Sequence, residues 1–152
     1  GKYRFSAGAS SADIRQELEC TVSGEVIPPR NLSHSICIKN YDSKHGIETT
    51  LRFSYRKNDW YGCTNDWGGG FTFADADFSG YTKAELWAAA PCSQAGVAIY
   101  AGEQQLGSVE ILPSRSMDDF QLYTIPLKPY TGQADLRLEI TGMASVYRIQ
   151  LG

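Results

Sequence analysis

From residue 84 to the end of the chain one pattern returns six times. A run of six to eight residues alternates apolar and polar, and a short cluster of turn formers follows. The runs are "AELWAA" (84–89), "GVAIYA" (96–101), "LGSVEI" (106–111), "FQLYTIPL" (120–127), "ADLRLEI" (134–140) and "SVYRIQL" (145–151). The turns between them are "PCSQAG", "AGEQQ", "PSRSMDD", "KPYTGQ" and "TGMA". Period two is the signature of a strand with one buried face. In "ADLRLEI", Leu136, Leu138 and Ile140 face one way, while Arg137 and Glu139 face the other.

The first half alternates less regularly, in "IRQELECTV" (14–22), "SHSICIKN" (33–40) and "TTLRFSY" (49–55). "IRQELE" also fits the start of a short helix, but it lacks a full amphipathic repeat. "FTFADADF" (71–78) opens as a strand with Phe71 and Phe73 on one side. "GEVIPPRN" (24–31) is loop, because paired prolines cannot sit inside a ladder. No long helix, low-complexity tract or domain linker interrupts the chain. Nine or ten short strands at this spacing predict one all-β domain over residues 1–152, an antiparallel β-sandwich of the jelly-roll kind.

A chain of 152 residues can bury a core without metals or bridges. A net charge of −3 gives no electrostatic case for nucleic acid or an anionic membrane. No apolar run is long enough to span a bilayer, and the expectation is a monomer. The four cysteines, Cys20, Cys37, Cys63 and Cys92, form no CxxC and no zinc spacing with histidine. Their even number suits two disulfides and a secreted protein, with four buried thiols as the alternative.

Enzyme signatures are absent: there is no GxSxG, Walker loop, HExxH or dinucleotide-binding glycine fingerprint. His34 and His45 are the only histidines, both in the irregular half. A glycosidase needs two carboxylates flanking a cleft. Asp59 with Asp66, Asp75 with Asp77, Asp118 with Asp119 and Glu17 with Glu19 are the available pairs. Aspartates in turns more often bond their own backbone. The expectation is no catalysis.

The aromatic residues, 12% of the chain, point elsewhere. "NDWYGCTNDWGGGF" (58–71) reads as loop and holds two of the three tryptophans. A sugar ring stacks its C–H face on an indole or phenol, and short polar side chains bind its hydroxyl rim. Trp60, Tyr61 and Trp67, beside Asn58, Asp59, Asn65 and Asp66, supply both kinds of group. The competing reading has these rings cap the core with a polar edge in water.

The C-terminal two-thirds resembles the family 6 carbohydrate-binding modules. "GGGFTFADADFSGYTKAELWAAA" (68–90), "GVAIYAGEQQLGSVEILPS" (96–114), "MDDFQLYTIPL" (117–127) and "GQADLRLEITGMASVYRIQL" (132–151) follow that family's motifs in order. "QELE" (16–19) resembles its acidic opening strand. The resemblance implies a jelly roll that binds plant or microbial polysaccharide and is joined to a secreted glycoside hydrolase, so the partners implied are a glycan and a catalytic domain of the same polypeptide. It also implies a site in the loops joining the sheets, where two aromatics flank a sugar that a C-terminal asparagine bonds. Carried onto this chain, the first aromatic falls at Trp67, Trp60 or Tyr61. Met117 stands where the second would be, Ser145 where the asparagine would be, and Tyr147 where an aspartate would follow. Glu17 and Glu19 remain as ligands for the family's structural calcium, with backbone carbonyls. On this reading the Trp-Tyr-Trp segment is itself the platform, and Cys63 pins it by a bridge to Cys92. The alternative is a sandwich that meets protein, as an adhesin or packing module.

Overall fold

The computed structural model describes the backbone of all residues except 55–56 and 65–67, and the side chains of all except 50–60 and 65–67. Among the described residues the strands are β1 (Lys2–Ser10), β2 (Asp13–Thr21), β3 (Arg30–Asn31), β4 (Ile36–Cys37), β5 (Ser43–His45), β6 (Ile47–Ser54) and β7 (Lys57–Thr64). They continue as β8 (Gly69–Asp77), β9 (Lys83–Ala89), β10 (Ala95–Ala101), β11 (Gln104–Ile111), β12 (Gln121–Pro126), β13 (Gln133–Thr141) and β14 (Ser145–Leu151). One short 3-10 turn, Ile38–Asn40, follows β4.

Two six-stranded sheets pack face to face. The first runs β11-β10-β13-β8-β3, with β5 also on β8; the second runs β12-β9-β14-β7-β6, with β4 also on β14. This is the expected all-β jelly-roll sandwich. Alternation decides what enters the core. Phe71 and Phe73 of β8, Val97 and Ile99 of β10, and Leu136 and Leu138 of β13 face Ala84 and Leu86 of β9 and Val146 and Ile149 of β14. Each is at most 1% exposed. The turn between β10 and β11 is held by Gly102, whose φ of +56° favours glycine.

Two segments depart from expectation. Residues 57–64, read above as loop, form β7 and pair antiparallel with β6. The strand hides in the sequence because its described inward positions, Gly62 and Thr64, carry no large apolar side chain. Gly62 and Thr64 point inward, and Phe71 fills the space above Gly62: a methyl carbon there would run into Phe71 Cζ. Thr64 is 2% exposed and bonds backbone instead, its hydroxyl donating to Gly142 O at 2.7 Å and accepting from Ala144 N at 2.9 Å.

The second departure is at the start of the chain. "QELE" lies on β2, but β2 is no opening strand of the sandwich. Among the described residues it pairs only with β1, as a separate two-stranded hairpin. The sandwich begins at Arg30, where β3 runs parallel to β8.

The expected disulfides are not formed among the described residues. Cys20 lies on the hairpin, Cys37 on β4, Cys63 on β7 and Cys92 in the loop after β9. Cys63 and Cys37 lie opposite Ser145 and Arg148 of β14, three residues apart along that strand.

Candidate functional site

The inward turn of Gly62 sends its neighbour Tyr61 to the outer face of the second sheet. Alternation does the same for Trp87 on β9, where Ala84, Leu86 and Ala88 are fully buried and Glu85 and Trp87 are half-buried on the other side. On β14 the pairing with β9 slips between Val146 and Arg148. Tyr147 is the extra residue of this bulge, a feature that re-aims side chains. Phe120 stands at the end of the loop that leads into β12.

These residues form a row. Tyr61 meets Phe120 edge-on, with centroids 5.5 Å apart at 70°. Phe120 stacks on Tyr147 at 5.4 Å and 29°. The guanidinium of Arg148 lies 5.4 Å from the Tyr147 centroid and 4.1 Å over the ring of Trp87. Leu122, 53% exposed, sits opposite Trp87 on β12 and extends the apolar strip. Such ring pairs contribute roughly 0.5–1.5 kcal/mol each beyond area burial, and an Arg–Trp stack contributes about 0.5–2 kcal/mol. The row is therefore rigid as well as partly open.

A hollow of about 610 Å³ borders the loop that carries Phe120 and is lined by Arg115, Asp119, Gln121 and Tyr123, among others. Asp119 holds its shape: one oxygen accepts from Arg115 N at 3.2 Å, the other from Gln121 Nε2 at 3.4 Å. Gln121 and Tyr123 lie on the face of β12 opposite Leu122, so the hollow adjoins the row through the loop at Asp119 and Phe120.

The outer face of the first sheet holds a second, shallower hollow of about 800 Å³, with Tyr100, Ser108, Glu110 and Glu139 on its walls. Its Glu139 is paired. Arg137 donates to Glu103 at 2.9 Å and to Glu139 at 3.3 Å, and its guanidinium lies 5.2 Å from the Tyr100 centroid. His45 Nε2 lies 3.3 Å from Glu139.

The residues expected to form the site are dispersed. Tyr61 is in the row. Trp60 lies on β7 opposite Leu51, with its side chain outside the described residues. Asn65 and Trp67 lie wholly outside them, as does the paired-carboxylate candidate Asp66. Met117 is half-buried in the loop before β12. Ser145 is fully buried, and its hydroxyl has no hydrogen-bond partner among the described residues, so it presents nothing to a ligand. Asp75 and Asp77 form no cleft. Asp75 takes a left-handed conformation, φ +51°, and its N–H donates to Asp135 Oδ1 at 3.1 Å. Asp77 accepts from the backbone of Ser79 in a turn. Bonding to the side chain and backbone of Ser79 holds the Asp77 carboxyl below the ordinary aspartate value.

Sequence reasoning missed Trp87, Phe120 and Tyr147 as members of one surface. The outward position of Trp87 in an alternating strand was the available signal. The bulge at Tyr147 has no local signature.

No family model and no curated protein sequence matches the chain. Its fold does match solved structures. A family 6 carbohydrate-binding module from Clostridium stercorarium, solved with cellobiose, superposes with a TM-score of 0.72 at 19% identity, covering 84% of this chain and 98% of that one. A glycoside hydrolase family 43 arabinoxylan arabinofuranohydrolase from Bacillus subtilis, solved with cellotetraose, superposes with a TM-score of 0.75 at 12% identity. That match takes in 96% of this chain and 32% of the enzyme. A family 36 carbohydrate-binding module solved with calcium and xylotriose reaches 0.59 at 13%, over 78% and 99% of the two chains. The fold is thus that of the family 6 carbohydrate-binding modules.

Glu17 and Glu19 do not fit calcium. Both stand on the hairpin: Glu19 accepts from Arg4 at 3.0 Å, and Glu17 from the Ser6 hydroxyl at 3.4 Å. Among the described residues no group of three His, Cys, Asp or Glu side chains gathers to hold a metal. A calcium ion takes six to eight oxygens, and two carboxylates on an exposed ribbon fall far short.

Proposed function

We propose that this chain is a non-catalytic glycan-binding module, secreted as part of a polysaccharide-degrading enzyme that it holds against its substrate. The observation that carries the reading is the row Tyr61–Phe120–Tyr147, where β7, β14 and the loop before β12 meet on a carbohydrate-binding fold. Binding is ring stacking plus hydrogen bonding, and no bond is made or broken. Tyr61 and its neighbours offer ring faces and edges, and Arg115, Asp119 and Gln121 bond sugar hydroxyls. Trp60, one residue from Tyr61, belongs to the same segment. Ring planes inclined at 70° and 29° do not make a flat platform. They favour soluble, twisted single chains over a crystalline cellulose surface. Soluble β-linked glucans head the panel, because two of the similar structures hold cellobiose and cellotetraose.

Affinity electrophoresis and calorimetry against β-glucans, xylan, mannan, xyloglucan and pectin test this, each with calcium and with chelator. Retention by one or a few glycans is expected, with Tyr61→Ala weakening it at least tenfold, as an interface anchor does. Tyr100→Ala, on the other sheet, should leave it unchanged. No retention by any glycan refutes the reading; loss of binding only in Tyr100→Ala moves the site to the first sheet.

A further inference from the structure

Large apolar side chains stand exposed almost only at the start of the chain. Tyr3, Phe5, Ile14, Leu18, Val22, Val26 and Ile27 are between 47% and 87% exposed, whereas the rest of the described chain exposes only Leu112 and Leu122 to this degree. The hairpin sorts them by register. Tyr3 lies opposite Cys20, Phe5 opposite Leu18 and Ala7 opposite Gln16 on one face; Arg4 opposite Glu19 and Ser6 opposite Glu17 occupy the other. The polar face is complete in itself, through the Arg4–Glu19 pair and the Ser6–Glu17 bond. Among the described residues nothing covers the apolar face, and no residue before Leu32 joins the core. A lone two-stranded hairpin is marginal in water, and an apolar patch rimmed by polar groups marks an interface.

The structural matches indicate what covers it. The sandwich from Arg30 to Gly152 makes up roughly four-fifths of the chain, close to the 78–84% matched by single modules. The match to the arabinofuranohydrolase takes in 96% of the chain, so it reaches back through most of the residues before Arg30. That further coverage comes from a structure in which the matched part is 32% of a whole glycoside hydrolase. Resting on the function proposed above, we infer that the β1–β2 hairpin is a docking element. Its Tyr3–Phe5–Ala7/Leu18–Cys20 face seats on the catalytic domain of a glycoside hydrolase and fixes the module to it.

Backbone hydrogen exchange tests this by comparing the natural full-length polypeptide with the 152-residue chain. Amides of 3–7 and 16–20 should exchange at least tenfold more slowly in the full-length protein. Phe5→Asp and Leu18→Asp should each abolish that difference. Glycan retention, measured on the same samples, should be unchanged, which separates failure of docking from failure of glycan binding. Equal exchange in both proteins overturns the inference. So does a 152-residue chain that is dimeric at micromolar concentration and becomes monomeric with Phe5→Asp, because the occupant is then a second copy. A full-length polypeptide without a glycoside hydrolase domain overturns it as well.

Discussion

Replacing Gly62 by alanine adds one carbon at the tightest point between the sheets. That carbon would run into Phe71 Cζ and lie 2.9 Å from Phe71 Cε1 and 3.2 Å from Ile47 Cγ2. Phe71 cannot swing away: it is 1% exposed, lies opposite Leu138 on β13, and its ring is packed 5.8 Å from that of Tyr41. Overpacking of this kind costs about 1–3 kcal/mol. For a chain of this size, each kcal/mol lowers the melting temperature by roughly 2–4 °C, so Gly62→Ala should melt about 2–12 °C below the parent. Phe71→Leu alone is also destabilising, through lost volume and the lost ring contact. In the double variant the shorter side chain leaves room for the new methyl. A double-mutant cycle by urea unfolding should therefore show a favourable coupling of about 1 kcal/mol or more. Because β7 carries Tyr61 outward next to Gly62, the single variant should also weaken glycan retention. If Gly62→Ala melts with the parent and the cycle shows no coupling, Gly62 does not face Phe71 and the account of why residues 57–64 form a strand is wrong.

Ser145→Ala should leave stability unchanged or raise it by about 1 kcal/mol, because it removes a buried hydroxyl without a partner; a clear loss in urea unfolding would show that the hydroxyl is bonded. Asp77 contributes a pH-dependent term. Its folded pKa is lowered, so its contribution is present above the ordinary aspartate value and is lost as pH falls through the lower folded value, in the acid range below about 4. By NMR titration its midpoint should lie below that of an ordinary aspartate and move up in Ser79→Ala; an unmoved midpoint would remove Ser79 as the cause.

The strands from residue 84 onward, the inward set Leu136–Leu138–Ile140 and the all-β class were legible because period-two alternation is a local property. The same local rule misread residues 57–64. Their described inward positions are a glycine and a threonine, and the ring of Phe71 from the opposite sheet explains why a glycine belongs at 62. Even cysteine count suggested bridges, but pairing depends on which strands become neighbours and how the thiols meet, and no disulfide forms among the described residues. Acidic alternation marked "QELE" as a strand without saying that β2 would pair with β1 and stay out of the sandwich.

The sequence by itself determined that this chain forms strands, which faces they bury and that it spends aromatic rings near the surface. Only the tertiary structure decided which rings meet. Tyr61, Phe120 and Tyr147 are brought together by a sheet order that joins β7 to β14 and by a bulge that turns Tyr147 outward. Alternation is set by backbone geometry within a few residues; adjacency between residues 61 and 147 is set by how two whole sheets close over one core.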